Sequence, residues 1–325
     1  MNILVTGGAG YIGSATAEAL LKAGHSVTVY DSLVTGHRAA VPEGAAFIQA
    51  DLSDSHALIE TLTQTKFDAV MHFAAFIEAG ESMKDPGRFY QNNFTNSLTL
   101  METAVRAGVK RFVLSSTAAV YQSSDEPLTE ESPLGPTNVY GHTKLMVEQA
   151  LEWYRQIHRL HFAALRYFNA CGALPGRGEA HQPESHLIPL VLRVALGQSE
   201  SIGIYGTDYP TPDGTCIRDY IHISDLVSAH ILALEALKER DQLIYNLGNG
   251  NGCSVREVIE TARQVTGHRI PAVELPRRPG DPARLVASSE KIKRELGWKP
   301  RHDDLFEIIT SAWAWHKWHP KGYQE

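Results

Sequence analysis

Residues 2–22, NILVTGGAGYIGSATAEALLK, constrain the fold more than any other stretch of the chain. A short apolar run leads into Gly7, Gly10 and Gly13 in GxxGxxG spacing, and a helical pattern follows. Such a motif carries meaning when it joins a strand to a helix, as it does here. Gly7 permits the sharp turn, Gly10 lets a pyrophosphate approach the backbone, and Gly13 lets the helix pack against the sheet. The free amides and partial positive charge at the helix start suit a phosphate. Asp31 closes the next apolar run, SVTVYD. An acid there accepts hydrogen bonds from an adenosine ribose. It also repels a 2′-phosphate, so the pattern points to NAD rather than NADP.

The remainder of the first half repeats the rhythm. Apolar runs AAFIQAD, FDAVMHFAA, RFVLSST and FAALRYFN alternate with helical patterns at 55–65, 86–106 and from Tyr140 to His158. Strands apolar on both faces, separated by helices, predict a parallel sheet covered on each side. The fold class expected is α/β: a doubly wound, Rossmann-type parallel sheet with a smaller mixed α/β C-terminal lobe. After Asn169 the rhythm breaks at ACGALPGRGEAHQPESH. A helix is expected at HLIPLVLRVALG, a strand at SIGIYG, a loop at DYPTPDGTCIRDY and a helix at ISDLVSAHILALEAL. LIYNLGNG reads as a strand and SVREVIETARQVTG as a helix capped by Ser254. We expect residues 1–170, with about 218–247, to form the dinucleotide domain, and 171–217 with 248–325 the second lobe.

Composition removes several function classes. Net charge is −7 with no basic block, unlike a nucleic-acid binder. No apolar run reaches the ~18 residues of a membrane span, and the N-terminal stretch has no signal-peptide pattern. Cys171, Cys216 and Cys253 are scattered and odd in number, which reads as free thiols in a reducing cytoplasm. The 15 histidines make no HExxH pattern and no cysteine-paired cluster, so no metal site is expected.

Within NVYGHTKLMVEQ, Tyr140 and Lys144 stand at i and i+4 and share a helix face. A free tyrosine, with a pKa of about 10, is a poor base near neutrality. A nearby lysine cation favours the phenolate and lowers that pKa. The run ending SST delivers Ser115, Ser116 and Thr117 to the same sheet edge, where a hydroxyl can bind a substrate oxygen or relay its proton. Asp51 and Leu52, after the third strand, are candidates for the adenine edge. Phe73, Ala74 and Ala75 would let the fourth strand's end approach the cofactor. All lie at carboxyl ends of strands, where doubly wound sheets bind ligands.

This combination resembles the extended short-chain dehydrogenase/reductases, the NAD-dependent epimerase/dehydratase family. TGGAGYIGS, HFAA, GES, NN, YFN, DGT followed by RDYIH, YNLG, RRPGD and HPKGY carry the resemblance over nearly the whole chain, and within the family they match the group acting on UDP-glucose at C4. The resemblance implies an NAD-dependent isomerase of galactose metabolism that interconverts UDP-glucose and UDP-galactose through a transient 4-keto sugar. It implies Tyr140 as the base, aided by Lys144 and Thr117. It extends the NAD contacts to Tyr11, Ile12, Ser32, Thr35, Gly36, Asn92, Ser115, Tyr140, Lys144, Tyr167 and Phe168, with Lys144 on the nicotinamide ribose. For the UDP-sugar it implies Thr117, Tyr140, Asn169, His186, Leu187, Tyr205, Arg218, Arg278 and Asp281, with the arginines as fixed cations for phosphate. A cytoplasmic homodimer is implied, joined through long helices such as 86–106 and 146–158.

Departures from the family pattern are Ile77 for a lysine, Ser185-His186 for an asparagine pair, and Gln122 for a glycine. Leu285 falls where side-chain size bears on the sugar pocket, which leaves N-acetylated sugars open. Ala118 and Ala119 stand where 4,6-dehydratases carry an Asp-Glu pair, which argues against elimination. Another epimerase or a decarboxylase of the same branch is the alternative, and a non-catalytic dinucleotide sensor the remote one.

Overall fold

A computed structural model describes residues 1–278 and 281–324, so Pro279 and Gly280 of the RRPGD stretch lie outside the described residues. A seven-stranded parallel sheet is the centre of the molecule. Its strands are β1 (Asn2–Thr6), β2 (Ser26–Asp31), β3 (Ala46–Gln49), β4 (Ala69–His72), β5 (Arg111–Thr117), β6 (His161–Tyr167) and β7 (Gln242–Leu247). They run in the order β7-β6-β5-β4-β1-β2-β3. The order reverses between β1 and β4, and a crevice opens there at the strands' carboxyl ends.

Two helical layers cover the sheet. On one side α1 (Tyr11–Lys22) and α6 (Ile223–Ala236) pack with Ile3, Val5, Met71 and Leu165 in one apolar cluster. On the other, α2 (Ser55–Gln64), α3 (Asn96–Arg106) and α4 (Val139–His158) cover Leu4, Val70, Phe112 and Ala164. Both strand faces are therefore apolar, as the continuous hydrophobic runs require. Gly24, with φ +82°, turns the chain after α1, and its N–H donates to Leu21 O (2.9 Å). Asn138 caps α4 by accepting from the Gly141 N–H (2.8 Å).

The expected helix 86–106 is not continuous. An α-turn at Pro86–Phe89 widens into a π-helical segment at Tyr90–Thr95 before α3 begins. The cause is visible at Asn93, whose side chain leaves the helix to grip a loop. Its Oδ1 accepts from Phe76 N (2.8 Å), and its Nδ2 donates to Phe76 O (2.9 Å).

The second half builds a smaller unit around α5 (Leu187–Ala195), α7 (Val255–Thr266) and, after a short α8 (Glu290–Leu296), α9 (Leu305–Trp318). Ser254 caps α7 in a reciprocal box with Glu257. Strands Ile202–Tyr205 and Ala272–Leu275 pair in parallel, and Asn169–Cys171 pairs with Tyr220–His222. These last two segments carry the chain between the halves.

Candidate active site

The crevice above β1 and β4 is a cavity of about 340 Å³. The glycine turn forms its floor. Gly7 has φ +73°, and a Cβ there would meet Ala74 N at 2.5 Å. A Cβ at Gly13 would lie 2.1 Å from Gly7 O, whereas one at Gly10 would meet only Gly7 O, at 3.3 Å. This is a cradle that any side chain at Gly7 or Gly13 would fill. No acidic residue occupies the first turn of α1, and Gly10 offers no side-chain cap. The first-turn amides are left for an anion.

Asp31 stands at one end of the cavity with both oxygens fixed. Oδ2 accepts from Ala9 N (2.9 Å) and Oδ1 from Leu33 N (2.8 Å). Burial pushes its pKa up, and those two amides pull it back. Asp51 Oδ1 accepts from Ser53 N (2.8 Å) and Ser53 Oγ (2.6 Å). The structure places Tyr11, Ile12, Ser32, Thr35, Gly36, Leu52, Phe73, Ala74, Ala75, Asn92, Ser115, Tyr167 and Phe168 on the same walls. Ile77 lines it too.

At the other end Thr117 and Tyr140 face the cavity. Thr117 ends β5, accepts from Ala119 N (3.1 Å), and has its hydroxyl beside the Tyr140 phenol. Tyr140 starts α4, and its backbone N–H donates to Ser82 Oγ (3.1 Å). Ser82, which has no role in the sequence reading, in turn donates to Ala79 O (2.6 Å) and ties the short helix Ala79–Ser82 to the start of α4.

Lys144 does not line the cavity. It is buried, with Nζ donating to Ser115 O (2.8 Å). Its pKa is pushed down to about 8 by burial, against the pull of Glu148 one turn on. The Tyr140 phenol is pushed up to about 12 by burial, with the Thr117 hydroxyl opposing and Glu78 adding. The expectation that Lys144 lowers the tyrosine is therefore corrected for the protein alone. Desolvation of the phenolate outweighs the nearby hydroxyl, and the ammonium is turned toward a carbonyl.

A second cavity of about 180 Å³ adjoins the first, and Asn169, Ala170 and His186 belong to both. Its walls bring together Leu187, Tyr205, Arg218, Arg278 and Asp281, which come from four separate parts of the chain. Arg278 donates to Asp281 Oδ2 (2.9 Å) and lies 4.7 Å over the Tyr205 ring. Arg218 donates to Pro282 O (2.8 Å), and Asn169 Nδ2 donates to Asp219 O (2.8 Å). Leu285 lines neither cavity; it packs against the small apolar cluster that holds Val120, Leu128 and Phe168.

Sequence reasoning missed the neck between the cavities. Glu179, His181, Glu184 and His186 gather there with ligand-type atoms all within 4.8 Å of one another. The signal lay in the spacing ExHxxExH, which no search for HExxH or cysteine pairs detects. A buried polar group behind Thr117 and Tyr140 was missed as well. Glu148 holds Arg166 bidentately and accepts from Ser116 Oγ, while Arg166 donates to Tyr121 OH (2.7 Å).

The sequence model of the NAD dependent epimerase/dehydratase family matches residues 3–248. A UDP-glucose 4-epimerase from Halalkalibacterium halodurans is 51% identical over 99% of this chain and 98% of its own. A crystal structure titled UDP-glucose 4-epimerase superimposes with a TM-score of 0.97 at 51% identity, covering 100% of both chains. The enzyme of that name from Bifidobacterium longum, solved in complex with NAD+ and UDP, has a TM-score of 0.95 at 35% identity, covering 99% of this chain and 100% of its own.

Proposed function

The chain belongs to the NAD dependent epimerase/dehydratase family, and on that premise we propose that it interconverts UDP-glucose and UDP-galactose by epimerisation at C4. The observation that carries the reading is the arrangement of Tyr140 and Thr117 on the wall of a glycine-floored cavity that adjoins, through Asn169, Ala170 and His186, a second, arginine-bearing one. Relatives of about 50% identity over the full chain carry that activity in their names.

NAD fits the first cavity: the Gly7–Gly13 cradle suits its pyrophosphate, and the Asp31 carboxylate, held by two amides, suits its adenosine ribose. When bound, NAD supplies a hydride acceptor and donor and a positive ring. Tyr140, whose phenol is pushed up to about 12 in the protein alone, would serve as the base once that positive ring beside it favours the phenolate; it then takes the proton from the sugar 4-hydroxyl and later returns it. Thr117, which accepts from Ala119 N with one lone pair, donates to the sugar oxygen. Lys144 holds a positive charge behind the Ser115 carbonyl. Arg218 and Arg278 hold the diphosphate, Asn169 and His186 flank it, Asp281 takes a ribose hydroxyl, and Tyr205 and Leu187 line the base end. The binding energy thus lies remote from C4, so the tethered keto sugar is free to present its other face.

Residues 1–170 with about 218–247 act as the cofactor domain, and the remainder as the substrate lobe. The working unit is a homodimer in the cytoplasm. The test of the activity is incubation with UDP-galactose, and separately UDP-GalNAc, without added NAD. Conversion of the first supports the reading. Conversion of UDP-GalNAc alone would move the chain to the N-acetyl specificity that Leu285 leaves open, and conversion of neither would sink it.

A further inference from the structure

We propose that Glu179, His181, Glu184 and His186 form a binding site for one divalent transition-metal ion of the zinc class, at the neck between the two cavities. The four side chains come from a single eight-residue stretch, EAHQPESH. Glu179 Oε1 lies 3.0 Å from His181 Nδ1 and 2.8 Å from His186 Nδ1, and Glu184 Oε1 lies 2.8 Å from the same His186 nitrogen. Two imidazole nitrogens and two carboxylate oxygens thus crowd one point. Ligand atoms around a tetrahedral zinc, bonded at about 2.0–2.1 Å, sit roughly 3.3 Å apart. Three of the separations already lie at 2.8–3.0 Å and all lie within 4.8 Å, so side-chain rotation within the stretch brings the four atoms into that geometry. The donor set selects the ion: nitrogen pairs suit zinc, cobalt or nickel, while magnesium and calcium prefer oxygen alone. Two carboxylates neutralise a divalent charge, which lowers the cost of holding it in a partly buried place.

The stretch is fixed from several sides. Trp315 of α9 donates to Glu179 O (3.2 Å), His37 Nε2 lies 3.0 Å from Ala180 O, and the Gly178 N–H donates to Tyr323 OH (3.3 Å). Glu184 Oε1 also accepts from the Ser185 and His186 amides, both at 2.8 Å. A ligand set held this way loses little entropy on binding. Four protein donors make a closed, structural site rather than one with an open position. The ion's role is therefore to lock the stretch that carries His186 and Leu187 into the substrate cavity.

The test uses the full-length protein, stripped with a chelator and then titrated with Co²⁺ and Zn²⁺. We expect one Co²⁺ per chain with the intense visible absorption of tetrahedral coordination, displaced by Zn²⁺, and a raised thermal midpoint. His181→Ala and Glu184→Gln, checked for native circular dichroism, should weaken binding by more than the ~10–100-fold that loss of an outer-shell partner costs. Anomalous scattering at the zinc edge should place the ion among the four side chains. Absence of stoichiometric binding, or equal binding by a folded His181→Ala variant, overturns the proposal. These readouts do not depend on epimerase activity, so either reading can fail alone.

Discussion

At the scale of single residues, the proposed chemistry rests on two groups with displaced proton affinities, a partly buried tyrosine and a buried lysine. In the proposed reaction Tyr140 meets the sugar hydroxyl, so Tyr140→Phe removes the proton acceptor and leaves the cavity's shape. We expect retained cofactor and a loss of about 10²–10⁴-fold in turnover, measured by single-turnover assay on protein whose bound NAD has been quantified; full activity would remove Tyr140 from its role. Lys144 gives a second prediction that is independent of activity. Its folded pKa, about 8, lies below the ordinary 10.5, because burial disfavours the cation. Between those values the unfolded chain binds the extra proton, so stability rises with pH across pH 8–10.5. The size is on the order of 3 kcal/mol. Below pH 8 the buried cation is a standing cost, and Lys144→Met removes it. Urea midpoints of that variant should lack the rise that the wild type shows from pH 8 to 10; parallel curves would refute the burial argument.

Elements show where sequence reading stops. Each strand of the main sheet and the helices α1, α2, α4, α6 and α7 followed from local pattern, because their apolar faces repeat at 3.6 or run unbroken. The helix expected over 86–106 failed in the middle. A π-turn adds one residue to a helical repeat without altering the residue types, and its cause is an interaction with Phe76, 17 positions away. No window of neighbouring residues contains that information. Strands such as Asn169–Cys171 and Tyr220–His222 are three residues each, too short for any period. The π-segment carries its own prediction. Asn93 also donates to Thr143 Oγ1 (3.3 Å) and so ties the loop after β4 to α4. Asn93→Leu leaves Phe76 N and O without partners, at about 2–4 kcal/mol of stability. Retention of NAD should fall with it, because Phe76 and Asn92 both line the cofactor cavity. A variant with wild-type denaturation and full cofactor content would show that the widened turn does not organise the site.

For the whole molecule, the glycine cradle and Asp31 were legible because the dinucleotide half is built from consecutive strand–helix units. Arg218, Arg278 and Asp281 could be named only through a resemblance, since loops bring them together and no local pattern links them. The surface holds the last consequence. Trp153 and Ile157 project from α4 at i and i+4, with 62% and 66% of their surfaces exposed. The helix beside them is α3, joined to α4 by the Tyr154 OH donating to Glu102 Oε2 (3.0 Å). Two large apolar side chains left in water forgo about 1.5–3 kcal/mol each. A two-fold axis beside these helices would bury both residues in each copy and stack two helix pairs into a four-helix seam, as the self-complementary interface of a C2 dimer requires. We expect light scattering to give twice the 35.8 kDa chain mass. The double variant Trp153→Glu, Ile157→Lys should give the single mass while keeping NAD, because neither residue lines either of the two cavities described. A monomeric wild type would refute the dimer itself, and a dimeric double variant would move the interface to another face.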